Sequence, residues 1–156
     1  MGFKGNFVWK SNVKITVRDL EGRILDVKEF PNLLTNVGFN MVRDLLNGAI
    51  ADGEIKYMAL GDGATAPAVT DTILGNETFR KIMTSQVNGG TGELVSTVYV
   101  SPSENNVQIE EIGWLAGAGA GAGSPSGIMV SRVLYSRLKT AFESIEVERT
   151  DSIAEA

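Results

Sequence analysis

The stretch NVKITVRDLEGRILDVK, residues 12–28, decides what kind of fold this chain can build. Val13, Ile15 and Val17 alternate with Lys14, Thr16 and Arg18, and Leu25 and Val27 alternate with Asp26 and Lys28. A period of two places each set on its own face of an extended chain, so both halves read as half-buried strands. Glu21-Gly22 supplies the turn between them, and the pair is a hairpin. Pro31, which has no N–H to give to a ladder, ends the second strand. Similar signatures recur downstream at residues 55–60, 77–87, 107–115, 128–135 and 142–149, and Leu94, Val98 and Val100 line one face of a further strand. Seven or eight strands with turns between them predict a mainly β fold with one α-helix. The expected form is a compact antiparallel β sandwich or barrel-like domain, with one wet face on most strands.

The helix is where the period changes. Thr35 or Asn36 is the N-cap, Val37, Met41, Val42, Leu45 and Leu46 form an apolar stripe, and Gly48 closes the helix. Residues 64–75, with Pro67, read as a loop. Residues 116–127, AGAGAGAGSPSG, have almost no side chain to pack. They read as a flexible surface loop, or as alanine-glycine alternation stacked around an oligomer axis.

The length of 156 residues fits one domain with its own core, and 43% hydrophobic residues suit a folded chain. Residues 1–11 lack the alternation and read as an extended N-terminal arm. Residues 12–150 form a single β-rich domain, and 151–156 a flexible C-terminal tail. The arm carries Phe3, Phe7 and Trp9, apolar groups that need a docking place on the same subunit or an adjacent one. Charge is uneven too. Before Asp19 the charged side chains are Lys4, Lys10, Lys14 and Arg18, while Glu143, Glu146, Glu148, Asp151 and Glu155 crowd the other end. The two termini read either as solvated ends or as attachment points for a neighbour of opposite charge.

The net charge of −5 gives no reason to expect nucleic acid as a partner. No apolar run approaches the ~20 residues of a membrane helix, so no membrane is expected either. The N-terminus lacks the apolar core of a secretory signal, and the chain reads as soluble and intracellular when made. Asn76-Glu77-Thr78 fits a glycosylation sequon, which without an export signal is a coincidence.

The chain has no histidine and no cysteine, which removes disulfides, thiolate or histidine zinc sites and histidine relays. Gly117-x-Gly119-x-Gly121-x-Gly123 matches a dinucleotide fingerprint formally, but a strand follows where a helix must receive the phosphate. Ser136-x-x-Lys139 lacks the companion elements of a serine-lysine acyl-transfer site. Glu110 and Glu111 are strand neighbours, so they face opposite ways and cannot share a substrate. Glu111 is in register with Val107 and Ile109, and a buried glutamate there wants Arg80 or Arg132. Asp62 in Gly61-Asp62-Gly63, with Asp71 and Glu77, could offer oxygens to a hard cation, but the spacing fits no EF-hand and the glycines suit a tight turn. No catalytic, cofactor-binding or metal-binding residues are assigned, and the chain is expected not to be an enzyme.

Four segments carry a resemblance. Asn32-Leu33-Leu34-Thr35-Asn36-Val37-Gly38 opens the helix, Met58-Ala59-Leu60-Gly61-Asp62-Gly63-Ala64-Thr65-Ala66-Pro67 leads into a loop, Asp71-Thr72-Ile73-Leu74-Gly75-Asn76-Glu77 follows it, and Glu111-Ile112-Gly113-Trp114 lies on a later strand. Together they resemble a family of tailed-bacteriophage virion structural proteins, over roughly residues 25 to 150. The resemblance implies a virion component, present in host cytoplasm during assembly, and carries over no catalytic or cofactor residue. Members of that family include head accessory proteins and tail- or fibre-associated proteins. A small acidic β domain with a basic, aromatic arm fits a capsid decoration protein that bridges neighbouring capsomers. The body would form a homo-oligomer, a trimer, by burying strand edges. Phe3, Phe7 and Trp9 would anchor the arm on the major capsid protein, with Lys4 and Lys10 against an acidic shell. The alternative is a tail-tip, baseplate or fibre-associated subunit whose partner is a tail or fibre protein.

Overall fold

The structure, a computed structural model, describes residues 6–156. The hairpin forms from β1 (Phe7–Asp19) and β2 (Ile24–Pro31), but β2 shows its other face to the core. Asp26, Lys28 and Phe30 pair with the inward Val17, Ile15 and Val13, past a register shift at Val17/Arg18. Leu25 (54%) and Val27 (45%) are therefore exposed rather than half-buried. The chain then crosses to a second sheet through β3 (Leu33–Leu34), helix α1 (Asn36–Leu46), β4 (Ile55–Gly61) and β5 (Glu77–Ile82). It returns for β6 (Ser85–Asn88) and β7 (Glu93–Val100), crosses again for β8 (Gln108–Ala116) and β9 (Ile128–Leu138), and ends in β10 (Glu143–Glu155). The two antiparallel sheets have the orders β2-β1-β10-β7-β6 and β3-β9-β8-β4-β5, and they pack face to face as a β sandwich. Val13, Ile15, Val17, Val98, Ile145 and Val147 from the first sheet meet Met58, Leu60, Ile112, Trp114, Val133 and Tyr135 from the second.

Residues 77–87 are two strands rather than one. Met83 N–H still bonds to Lys56 of β4, but Thr84 N–H bonds to Thr97 of β7 in the other sheet. The inward face shifts with the partners, from Phe79, Lys81 and Met83 to Gln86, and Val87 is exposed. The odd-numbered apolar residues Phe79, Met83 and Val87 thus suggest one continuous strand that the backbone does not form.

The termini also differ from expectation. Residues 7–11 belong to β1 and 151–155 to β10, paired from Phe7 opposite Glu155 onward. Each strand supplies the other's hydrogen-bond partners, so neither is a detached arm or tail. Phe7 and Trp9 are in phase with Val13, Ile15 and Val17, a signal that Ser11 obscures in the sequence.

Helix α1 is capped by Thr35, whose hydroxyl accepts from Gly38 N–H at 3.1 Å and donates to the carbonyl of Met129. A Cβ at Gly38 would lie 2.9 Å from the Val130 carbonyl oxygen, so glycine permits this close approach of helix to β9. The buried stripe is thereby centred on Gly38, Met41 and Leu45. Leu46, expected on that stripe, is rotated off it and is 85% exposed.

The outer face of the second sheet is closed by one carboxylate. Glu111 is 0% exposed. Its Oε1 accepts from the backbone N–H groups of Gly63 (3.0 Å) and Asn76 (2.8 Å). Its Oε2 accepts from Gly75 N–H (2.9 Å) and from Arg132 Nε (2.7 Å). Of the two arginines the sequence offered, Arg132 is therefore the partner. Its other nitrogens reach Asp71 (2.9 Å) and the Thr65 carbonyl (2.8 Å), so the pair binds both ends and the middle of loop 62–76. Leu74 of that loop packs on Ala59, Leu115 and Met129. A Cβ at Gly63 would sit 2.5 Å from Glu111 Oε1, which explains the glycine there.

Arg80, the other candidate, instead forms a two-pronged pair with Glu77 at 2.6 and 2.9 Å. Its Nη1 donates to the carbonyls of Gly121 (2.9 Å) and Ser126 (3.0 Å), and Ser124 Oγ donates to Glu77 (2.8 Å). The Gly-Ala segment thus offers main-chain carbonyls to a nearly buried guanidinium, and it is not a loop free of side-chain contacts.

Removing one member of a buried, hydrogen-bonded ion pair costs about 3–5 kcal/mol. Glu111→Gln is expected to lose that much in urea denaturation; a loss below about 1 kcal/mol would mean that the loop is held elsewhere. Tyr135 supplies a pH test. Its hydroxyl is buried without a partner among the described residues, and burial pushes its pKa up to about 12 against the opposing charge of Arg137. The folded state holds this proton more tightly than the unfolded chain. Its contribution is therefore fully present below pH 10.0 and is lost as pH rises toward about 12. Tyr135→Phe should be neutral or stabilising at pH 7 and should lose less stability than the natural chain across that alkaline window.

Candidate interaction site

The residues with formal chemical matches are each engaged separately. Glu110 accepts at the surface from Gln108 (2.8 Å) and Ser136 (3.2 Å), on the opposite face from buried Glu111. Lys139 is buried, and its ammonium group reaches Asn106 Oδ1 at 2.8 Å and the carbonyls of Pro102 and Thr140 at 3.4 Å. Desolvation draws its pKa down, and Ser136 is not among its partners. Asp62 accepts from the Asn76 side chain at 2.6 Å, Asp71 pairs with Arg132, and Glu77 pairs with Arg80. These three carboxylates do not converge. Among the described residues no group of three or more acidic side chains is placed to hold a metal ion, and no helix is long and apolar enough to cross a membrane.

Of the five residues assigned to partner binding, Phe3 and Lys4 lie outside the described residues. The other three are on β1. Phe7 and Trp9 share a face, and Lys10 lies on the other, exposed. Phe7 is 78% exposed. Trp9 is engaged within the subunit: its indole N–H donates to Asp151 Oδ1 at 2.9 Å, and its ring meets Phe39 of α1 edge-on at 5.7 Å.

Asp151 belongs to a polar layer between the sheets. It takes two bonds from Arg149, at 2.6 and 2.8 Å. Arg149 is 0% exposed, lies 5.3 Å over the Trp114 ring, and bonds to Ser131 of the opposite sheet. Asn32 extends the layer by donating to Ser131 (2.9 Å) and Ser11 (3.2 Å). Fixed hydrogen bonds of this kind set the register between the two sheets and hold Trp9 at the layer's outer end.

Beyond Trp9 the pairing of β1 with β10 continues to Phe7 opposite Glu155. Between them and α1 opens a cleft of about 510 Å³. Trp9, Met41, Val42, Leu45, Leu94 and Ile153 give its apolar walls. Its charged lining residues are Glu54, Glu93 and Asp151, all acidic. The sequence reading missed this site because it placed Trp9 on a detached arm and Ile153 on a tail. Ile153 continues the inward phase of Ile145, Val147, Arg149 and Asp151, which is the signal that could have found it. Comparison of the chain with protein-family models, with curated proteins and with solved structures gives no match.

Proposed function

We propose that the chain is a non-enzymatic structural subunit of a tailed-phage virion, a decoration protein that bridges neighbouring capsomers of the head. The carrying observation is the apolar end of the sandwich. Phe7 (78%), Ile153 (50%) and Phe39 (48%) are exposed around Trp9, which pairs with Ile153 and meets the Phe39 ring. Exposed apolar groups gathered at one end favour attachment to another surface over solvation. The motif resemblance supports the virion class. Its glycine-rich loop and its Glu-Ile-Gly strand meet in the Glu111 clasp, which gives them a role in folding and leaves the attachment to the ends of the chain. Lys4 and Lys10 would meet an acidic shell, and the apolar residues would supply the contact area. Bridging adds an interface that only the assembled shell presents, so binding favours the intact particle.

The test is immunogold labelling of particles from a producing host with antibody to the purified chain. Gold over the whole head is expected. Gold confined to the tail end would transfer the subunit to a tail or fibre-base position, and unlabelled particles would overturn the virion assignment. Because β1 begins at Phe7, the informative deletion removes residues 2–5 and spares the strand. That variant, and Phe7→Ser, should keep the thermal midpoint of the natural chain while losing most of the head label.

A further inference from the structure

The cleft beneath Trp9 has a definite chemical character. Its walls are apolar, and its carboxylates are not balanced by any lysine or arginine in its lining. Asp151 is already met by Arg149, which leaves Glu54 and Glu93 as the carboxylates at the cleft. Its complement is a short segment with bulky apolar side chains and positive charge and no acidic group. The first seven residues of this chain, Met-Gly-Phe-Lys-Gly-Asn-Phe, have that composition: two phenylalanines, Lys4 and no acid.

The segment's exit direction decides whose cleft it fills. Phe7 is held in β1 opposite Glu155, and Ala156 N–H bonds to the Asn6 carbonyl at 2.7 Å. Through residue 6 the chain is therefore held on the β1–β10 ladder, beyond the last β1 residue that lines the cleft. Trp9 lines the cleft, whereas Phe7, two residues farther out on the same face, does not. Phe7 lies about 7 Å farther along the strand than Trp9 and is 78% exposed. The five residues before Asn6 can span up to about 17 Å beyond it.

We infer that this cleft receives residues 1–7 of a second copy of the chain, with Phe3 or Phe7 between Trp9 and the helix residues Val42 and Leu45, and Lys4 against Glu54 and Glu93. Each copy has one such segment and one such cleft, so donors and acceptors balance: the copies form a reciprocal pair, a ring, or, where the rotation does not close, a filament. The inference deepens the structural-subunit reading, because it names a contact by which neighbouring subunits lace together. It concerns the purified chain alone and can be decided without particles.

Two measurements test it. Sedimentation of the purified full chain over a concentration series should show reversible association. Phe7→Ser and Ile153→Glu, both exposed positions, should each shift the midpoint at least about tenfold. In the second measurement, the synthetic heptapeptide Met-Gly-Phe-Lys-Gly-Asn-Phe is titrated into the chain lacking residues 2–5. It should change tryptophan emission saturably, and the response is assigned to Trp9 because Trp114 is buried at 1%. The response should weaken several-fold between low and high salt, as charge pairing at a partly exposed site requires. It should also vanish in Val42→Glu. A full chain that stays monomeric, with an emission shift on deletion of residues 2–5, would mean that the segment fills its own cleft and would overturn the exchange. Association that persists in Phe7→Ser and Ile153→Glu would place the contact elsewhere and overturn it equally. If association fails while particles are still labelled, the exchange falls and the virion reading stands.

Discussion

The Glu111 carboxylate governs the layout of half the molecule. A fully buried carboxylate is tolerable only when its charge is balanced and its lone pairs are filled. Here one arginine and three backbone N–H groups meet both conditions. The three amides come from the two ends of a long loop, and the guanidinium reaches the loop's middle through Asp71 and Thr65. A segment with little regular structure of its own is thereby fastened as a lid on the outer face of the second sheet. The glycines around Asp62 and at position 75 follow from this constraint, because a side chain there would occupy the space of the carboxylate or of the facing loop strand. A motif that could be read as a cation-binding loop is thus shaped by an internal anion.

The second polar device lies inside the sandwich. Arg149 joins the sheets through Ser131, stacks over Trp114 and is neutralised by Asp151, which in turn holds the Trp9 indole. Apolar packing alone would allow the sheets to slide by one side chain at little cost. Directional bonds between them do not, since a shift would leave buried donors and acceptors unpaired. The outermost member of this layer is also a wall of the cleft, so the interior register and the shape of the candidate site are set together.

These features put rigidity and attachment in different places. The lid loop and the Gly-Ala segment are clasped by buried arginines, whereas the paired ends of β1 and β10 carry apolar side chains, Phe7 and Ile153, that the described residues leave exposed. The structural-subunit role proposed above would use that division: a body that keeps its shape, and an end whose exposed groups a neighbour would cover.

Local alternation and turn chemistry are properties of adjacent residues, and they were legible in the sequence. The first hairpin, the helix with its Thr35 cap, the outward and inward sets of most strands, and the burial of Glu111 against an arginine can all be read there. The sequence by itself determined a mainly β chain with one helix and a carboxylate in need of a guanidinium. Pairing between distant segments is not a local property. Only the tertiary structure decided that Arg132 and not Arg80 meets Glu111, that residues 77–87 change sheets at Thr84, and that Phe7 and Ile153 extend opposite strands. The reason is the same in each case: backbone hydrogen bonds and buried charges are satisfied by partners brought close in space, and the partner's identity leaves no mark on the residues beside it in the chain.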